Sequence, residues 1–183
     1  AAEDLDQLHA LGRRIRDRAV EGFKEAPDGS HLFVNLHPAD LMDSQLFSPT
    51  AALSKIAQRV VLEITERASL EKLDDVPGRV ASLRALGFRV AIDDLGAGYA
   101  GLGSFTELEP DIVKLDMSLV RGVHLHRTKE KVILSMMSLA RELGTTVVAE
   151  GVETEEERAK LTEIGCDLLQ GFFFAKPRRL SRR

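Results

Sequence analysis

Apolar and polar positions along the chain follow two periods that take turns. A helical period runs from about Asp4 to Phe23, and strand-like runs follow at HLFVNL (31–36), VVLEIT (60–65), FRVAID (88–93), IVKLD (112–116) and TVVAE (146–150). Between them lie a helical stretch broken near Pro49, a helix from about Asp74 to Leu86, another from about Lys129 to Leu143, and one over 154–164. LLQGFFF (168–174) closes the series as a sixth, buried strand, a use that explains Phe172 to Phe174 better than a ligand platform does. Gly87, Gly144 and Gly165 each stand after a leucine- or isoleucine-rich helix, as helix stops do, and Thr154 with Glu157 spells a capping box. Alternating helices and strands predict an α/β fold, a mainly parallel sheet covered by helices, either open and doubly wound or closed into a barrel.

In such a fold the C-terminal ends of the strands share one edge, where sites are built. The residues standing there are Asn35 in FVNL, Glu63 in VLEIT, Asp93 and Asp94 in AIDD, Lys114 and Asp116 in VKLD, Glu150 in VVAEG and Gln170 in LLQGF. Any one of them could be a satisfied core polar group. The set is another matter, because an ionisable group in an apolar strand costs several kcal/mol to bury without a partner. Four of these carboxylates with one of the amides, with no cysteine and no suitably placed histidine, suit a hard divalent cation such as Mg²⁺ or Mn²⁺. Adjacent Asp93 and Asp94 would repel each other unless cations lay between them, and a two-metal site serves in-line attack of water on a phosphodiester. Side-chain alternation puts Lys114 and Asp116 on one face of their strand.

The run RVAIDDLGAGYAGLGS (89–104) has a rival reading. Gly96, Gly98 and Gly101 spell G-x-G-x-x-G after a strand, and Asp116 lies 20 residues after Gly96, as a dinucleotide-binding fingerprint asks. Against it, two aspartates directly before the loop would face a pyrophosphate, and the ten or so residues before the next strand, with Gly103 and Pro110 among them, are short for a crossover helix. No G-K-[ST] is present, which excludes a P-loop.

Composition narrows the classes further. A chain of 183 residues with 44% hydrophobic content fills one core, and is read as one domain over 1–183. With 25 basic and 29 acidic residues the net charge is −4, so no broad cationic surface for a nucleic-acid polymer is implied. No apolar run approaches the ~20 residues that span a bilayer, and the amphipathic start is charged, so no membrane contact by the domain is expected. The single Cys166 sits in EIGCDLL as a half-buried core residue, which fits a reducing, cytoplasmic setting. His124 and His126 lie in a charged connection and read as solvated loop residues, and PRRLSRR as a basic tail.

NLH after FV, VLEITE, IDDLGAGYAGL, VKLDMSLV, VVAEGVET and GCDLLQGFFFAKP resemble, in order and spacing, the EAL domains that hydrolyse the bacterial second messenger cyclic di-GMP. The resemblance runs from about His31 to Pro177. It implies a TIM-like (β/α)₈ barrel with a two-cation Mg²⁺ or Mn²⁺ site at its C-terminal rim. It also implies metal ligands at Asn35, Glu63, Asp93, Asp94 and Glu150, with Glu150 cast as general base and Lys114 holding the attacking water. Asp116 and Gln170 would line the site, and Glu66 would steady the loop after the paired aspartates. The glycines of that loop then resemble hinges over the substrate at a homodimer interface, in a domain joined to sensor or signalling domains.

Two departures stand out. The Glu-Ala-Leu signature and the first two strands of the expected barrel are absent from these residues, so the barrel is expected to be N-terminally incomplete. In the loop, Leu95, Ala97, Ala100 and Gly101 replace the family's usual D-D-F-G-T-G-Y-S-S-L pattern, and His37 replaces a common serine. The expected function is a metal-dependent phosphodiesterase that opens cyclic di-GMP to linear pGpG. The alternative is a catalytically inactive EAL-type module that binds cyclic di-GMP or another protein.

Overall fold

The computed structural model describes residues 2–65, 70, 73–97 and 101–177. Among them six parallel strands pair in chain order: β1 (Leu32–Leu36), β2 (Val60–Thr65), β3 (Arg89–Leu95), β4 (Ile112–Leu115), β5 (Thr146–Ala149) and β6 (Leu168–Leu169). The helices are α1 (Ala2–Phe23), α2 (Val76–Ala85), α3 (Gly101–Leu108), α4 (Met117–Val120), α5 (Arg127–Leu143) and α6 (Glu155–Ile164). Sequential pairing of parallel strands through helices is the strand order of a TIM-like barrel, here an arc whose outer strands β1 and β6 pair on one side only among the described residues.

Two apolar layers hold the sheet. The outer face packs Leu62, Ile64, Ile92, Leu115 and Val147 against Leu83, Ile133, Met137 and Leu161 of the helices, all at most 2% exposed. The inner face carries a smaller cluster, Val61, Ala91, Ile112 and Val148, which closes the floor beneath the polar strand ends. Phe33 and Leu168 lie on this inner face at the two edges, 40% and 51% exposed.

Local chemistry sets the boundaries. Gly144 and Gly165 end α5 and α6 at φ 69° and 88°, and Thr154 accepts from the Glu157 amide while Glu157 accepts back, as the sequence predicts. The broken stretch around Pro49 is a set of 3-10 turns at Pro38–Met42, Ser44–Phe47 and Ser54–Arg59. Buried Arg16 ties α1 to these turns by ion pairs to Asp40 at 2.8 Å and Asp43 at 2.6 Å.

Three expectations need correction. An eight-residue helix, α3, fits between the glycine loop and β4 after all, because Pro110 falls beyond its last turn. The final strand stops at Leu169: Val152 N–H bonds to Gln170 O and Phe173 N–H to Val152 O, folding the following residues into a turn. Phe172, Phe173 and Phe174 are therefore 57%, 39% and 51% exposed instead of buried in a strand. His124 is not a solvated loop residue; it lies in a short 3-10 turn (Val123–Leu125) with its Nδ1 buried and without a hydrogen-bond partner.

Candidate metal centre

The inner face of the sheet gathers most of the polar residues picked from the strand ends. Parallel register sets Asn35 beside Glu63 and Glu63 beside Ala91, so β1, β2 and β3 present alternate residues to the same side. Strict alternation would send Asp93 and Asp94 to opposite faces. A bulge prevents that: Ile92 pairs with Val113 but Leu95 with Leu115, so β3 carries one residue more than β4 over this span. Asp94 takes up the extra residue at φ 58°, a left-handed conformation that aspartate tolerates better than most side chains. Ligand oxygens of Asp93, Asp94 and Glu150 consequently lie within 4.8 Å of one another.

Lys114 stands at the middle of the cluster. Its Nζ is 2.5 Å from Glu63 Oε1, 2.8 Å from Glu150 Oε1 and 2.9 Å from Asp93 Oδ1. Both Glu63 and Lys114 are buried, at 4% and 6% exposure. Burial pushes the Glu63 carboxyl above the usual range, and the Asp93 and Glu150 charges add to this against the pull of Lys114. Glu150 is raised for the same leading reason. Burial alone would lower Lys114, but its close ion pairs with Glu150, Glu63 and Asp93 outweigh it and hold the ammonium charged.

One ammonium does not balance this set. Glu63 Oε1 and Asp93 Oδ1 are buried, and although each is ion-paired with Lys114 the approach lacks hydrogen-bond geometry, which leaves both oxygens with acceptor capacity aimed inward. Four carboxylates against one lysine, all hard oxygen donors with two of them under-satisfied, fit a divalent cation of the Mg²⁺ or Mn²⁺ type. Glu63, Asp93, Asp94 and Glu150 would hold it. Asn35 stands next to Glu63 in register but is exposed on edge strand β1. Glu66, with Gly98 and Ala100, lies outside the described residues.

A groove of about 230 Å³ opens beside the cluster, bordered by Asp94, Asp116, Glu150, Gln170, Phe172 and Arg121. Asp116 caps α4 through the Ser118 amide at 2.8 Å, so its carboxylate is partly committed to holding the turn. Gln170 is exposed on the groove. A side chain at Gly171 would collide with the Val152 backbone, which explains glycine after Gln170. Sequence reading missed Arg121 and Glu153, which border this groove. Their signal was weak, since a charged residue in a connecting turn resembles any solvated loop.

A parallel α/β arc with acids converging on its C-terminal rim defines a class of metal-dependent barrel. The EAL domain family model matches residues 1–177, and the chain belongs to that family. It is 32% identical over 157 residues to probable cyclic di-GMP phosphodiesterase PdeA of Escherichia coli K12, which covers 84% of this chain and 22% of that protein. To cyclic di-GMP phosphodiesterase RocR of Pseudomonas aeruginosa it is 34% identical over 151 residues, covering 80% of this chain and 38% of that protein. Among solved structures, the Klebsiella pneumoniae BlrP1 calcium/cyclic di-GMP complex superposes with TM-score 0.84 at 36% identity, covering 97% of this chain and 46% of that one. The chain thus spans less than half the length of these relatives.

Proposed function

We propose that residues 1–183 form a single EAL-type domain that hydrolyses cyclic di-GMP to linear pGpG with one or two Mg²⁺ or Mn²⁺ ions. The observation that carries this reading is the convergence of Glu63, Asp93 and Glu150 on Lys114 Nζ, with an Asp94 oxygen beside those of Asp93 and Glu150, in a chain whose relatives are named for this reaction. Asn35, Glu63, Asp93, Asp94 and Glu150 would hold the ions, which when bound polarise water and neutralise charge at phosphorus. Glu150 takes the proton of the attacking water; its raised basicity suits that role. Lys114, held charged, orients that water and screens the phosphodiester from the surrounding acids. As the new P–O bond forms, the bond to the ribose oxygen breaks, and that oxygen takes up a proton as it leaves.

The remaining roles belong to the same proposal. Asp116 and Gln170 border the bound dinucleotide, and Glu66 steadies the loop after Asp94. Homodimerisation through that loop is supported by Val132, Met136, Leu139 and Leu143, an apolar stripe on α5 of which Met136 and Leu139 share a cavity with Phe105 of α3. Attachment to sensor or signalling domains is supported by the greater length of the relatives. A cytoplasmic site of action fits the substrate and the free Cys166, whose thiol burial pushes up to about 11. Among the described residues no helix is long and apolar enough to cross a membrane.

Incubating the protein with cyclic di-GMP and Mn²⁺ tests the reading. It predicts release of pGpG, lost in Asp93→Asn. Tight binding without turnover would favour the binding-module alternative, and unchanged activity in Asp93→Asn would refute the metal assignment.

A further inference from the structure

The groove beside the metal centre has one cationic lining group among the described residues, Arg121, and its other charged lining groups, Asp94, Asp116, Glu150 and Glu153, are all acids. An anionic ligand entering here meets four acids, and Arg121 is the cation that lines its path among the described residues. How Arg121 is mounted matters. Its own carbonyl accepts from Lys129 Nζ at 2.7 Å, and the next N–H, of Gly122, donates to Glu157 Oε1 at 2.8 Å. The same buried Glu157 accepts the Glu153 amide at 2.9 Å and the Thr154 amide at 3.2 Å, so one carboxylate staples the two loops that flank the groove. The root of Arg121 is fixed. Its head is not: among the described residues the guanidinium pairs with Glu153 alone, and the two side chains are 51% and 42% exposed. Exposed pairs of this kind contribute little, whereas arginine with a phosphate makes two charge-assisted bonds.

We propose that Arg121 is a specificity residue that leaves Glu153 to bind the second, non-scissile phosphodiester of the cyclic dinucleotide. A fixed backbone and a weakly held head form a clamp that loses little on ligand binding, because the competing ion pair is solvated and the turn is already ordered. Glu153 then faces water and sets the strength of the clamp by competing for it. The assignment rests on the phosphodiesterase reading and adds to it a residue that discriminates for a ligand with two phosphates.

Steady-state kinetics on cyclic di-GMP with Mn²⁺ test it. Arg121→Ala should raise KM about tenfold or more with kcat within about twofold, as expected for losing a charge-assisted contact. Arg121→Lys should recover only part of the loss, for want of the fork. Glu153→Gln should lower KM, and only while Arg121 is present. The rise of log KM with log salt should be shallower in Arg121→Ala than in wild type, because a screened charge–charge contact is gone. A KM within twofold of wild type, a fall in kcat with KM unchanged, or an unaltered salt slope would each overturn the assignment. A wild-type protein that neither binds nor hydrolyses cyclic di-GMP would instead overturn the reading beneath it.

Discussion

Replacing Lys114 by methionine keeps the length of the side chain and removes the one charge that three carboxylates share. In the native protein Lys114 Nζ lies within 2.9 Å of oxygens from Glu63, Asp93 and Glu150, at 6% exposure. Breaking a buried ion pair by removing one partner costs ~3–5 kcal/mol, and here several acids are left facing one another. For a chain of this size each kcal/mol moves the midpoint by ~2–4 °C, so Lys114→Met should melt about 10 °C below wild type without divalent ions. The pH dependence has a definite sign. Acids with folded pKa values above the unfolded ones hold more protons in the native state, so stability falls as pH rises through that window. Glu63 and Glu150 are already raised with the lysine present, and its loss raises them further. The deficit should therefore be smaller at pH 5 than at pH 8. Millimolar Mn²⁺ should raise the melting point of Lys114→Met more than that of wild type, because a bound cation replaces the missing ammonium. Calorimetry at the two pH values, with and without Mn²⁺, checks all three effects. A variant melting within 2 °C of wild type at pH 8, or stabilised equally by Mn²⁺, would rule out Lys114 as the shared counter-charge of these acids.

Three other outcomes follow from the packing. Asp43, fully buried and paired with Arg13 and Arg16, is pulled by those cations to about 2 despite its burial, so its contribution is present above the usual carboxylate pKa and lost as pH falls toward 2. Asp43→Asn should cost ~3 kcal/mol near neutrality and flatten the acid limb of a urea-denaturation series, since buried Arg16 keeps only Asp40 as partner. Glu157→Ala, which strips the acceptor from the Gly122, Glu153 and Thr154 amides, should cost ~2–4 kcal/mol, and Glu157→Gln markedly less, by thermal melts. Leu139→Glu, placed in the α5 stripe, should lower the dimer fraction in analytical ultracentrifugation with no change in the folded far-UV spectrum.

The strand pattern was legible because each strand is a short apolar run bounded by a helix stop, and β2 begins and ends where its residues predict. Convergence of the acids was legible for a related reason: a carboxylate in an otherwise buried strand must have a partner, and parallel strands share one rim. Lys114 was readable as a site residue, but not as the ammonium that touches Glu63, Asp93 and Glu150 together, since that depends on register across four neighbouring strands. The bulge that turns Asp94 toward Asp93 left no mark in periodicity, and only the adjacency of two acids hinted at it. The aromatic run at Phe172 misled because apolar residues after a strand resemble its continuation. The Gly171 backbone turn that ends β6 is a tertiary contact with Val152, invisible to local pattern.

Where a cation binds decides whether these acids form a metal centre. Crystals of the protein grown with Mn²⁺ and measured at the manganese absorption edge should show anomalous density between the carboxylates of Asp93, Asp94 and Glu150, and Asp94→Asn crystals should lose it. Density confined to other surface acids, with Lys114 still centred among Glu63, Asp93 and Glu150, would contradict it.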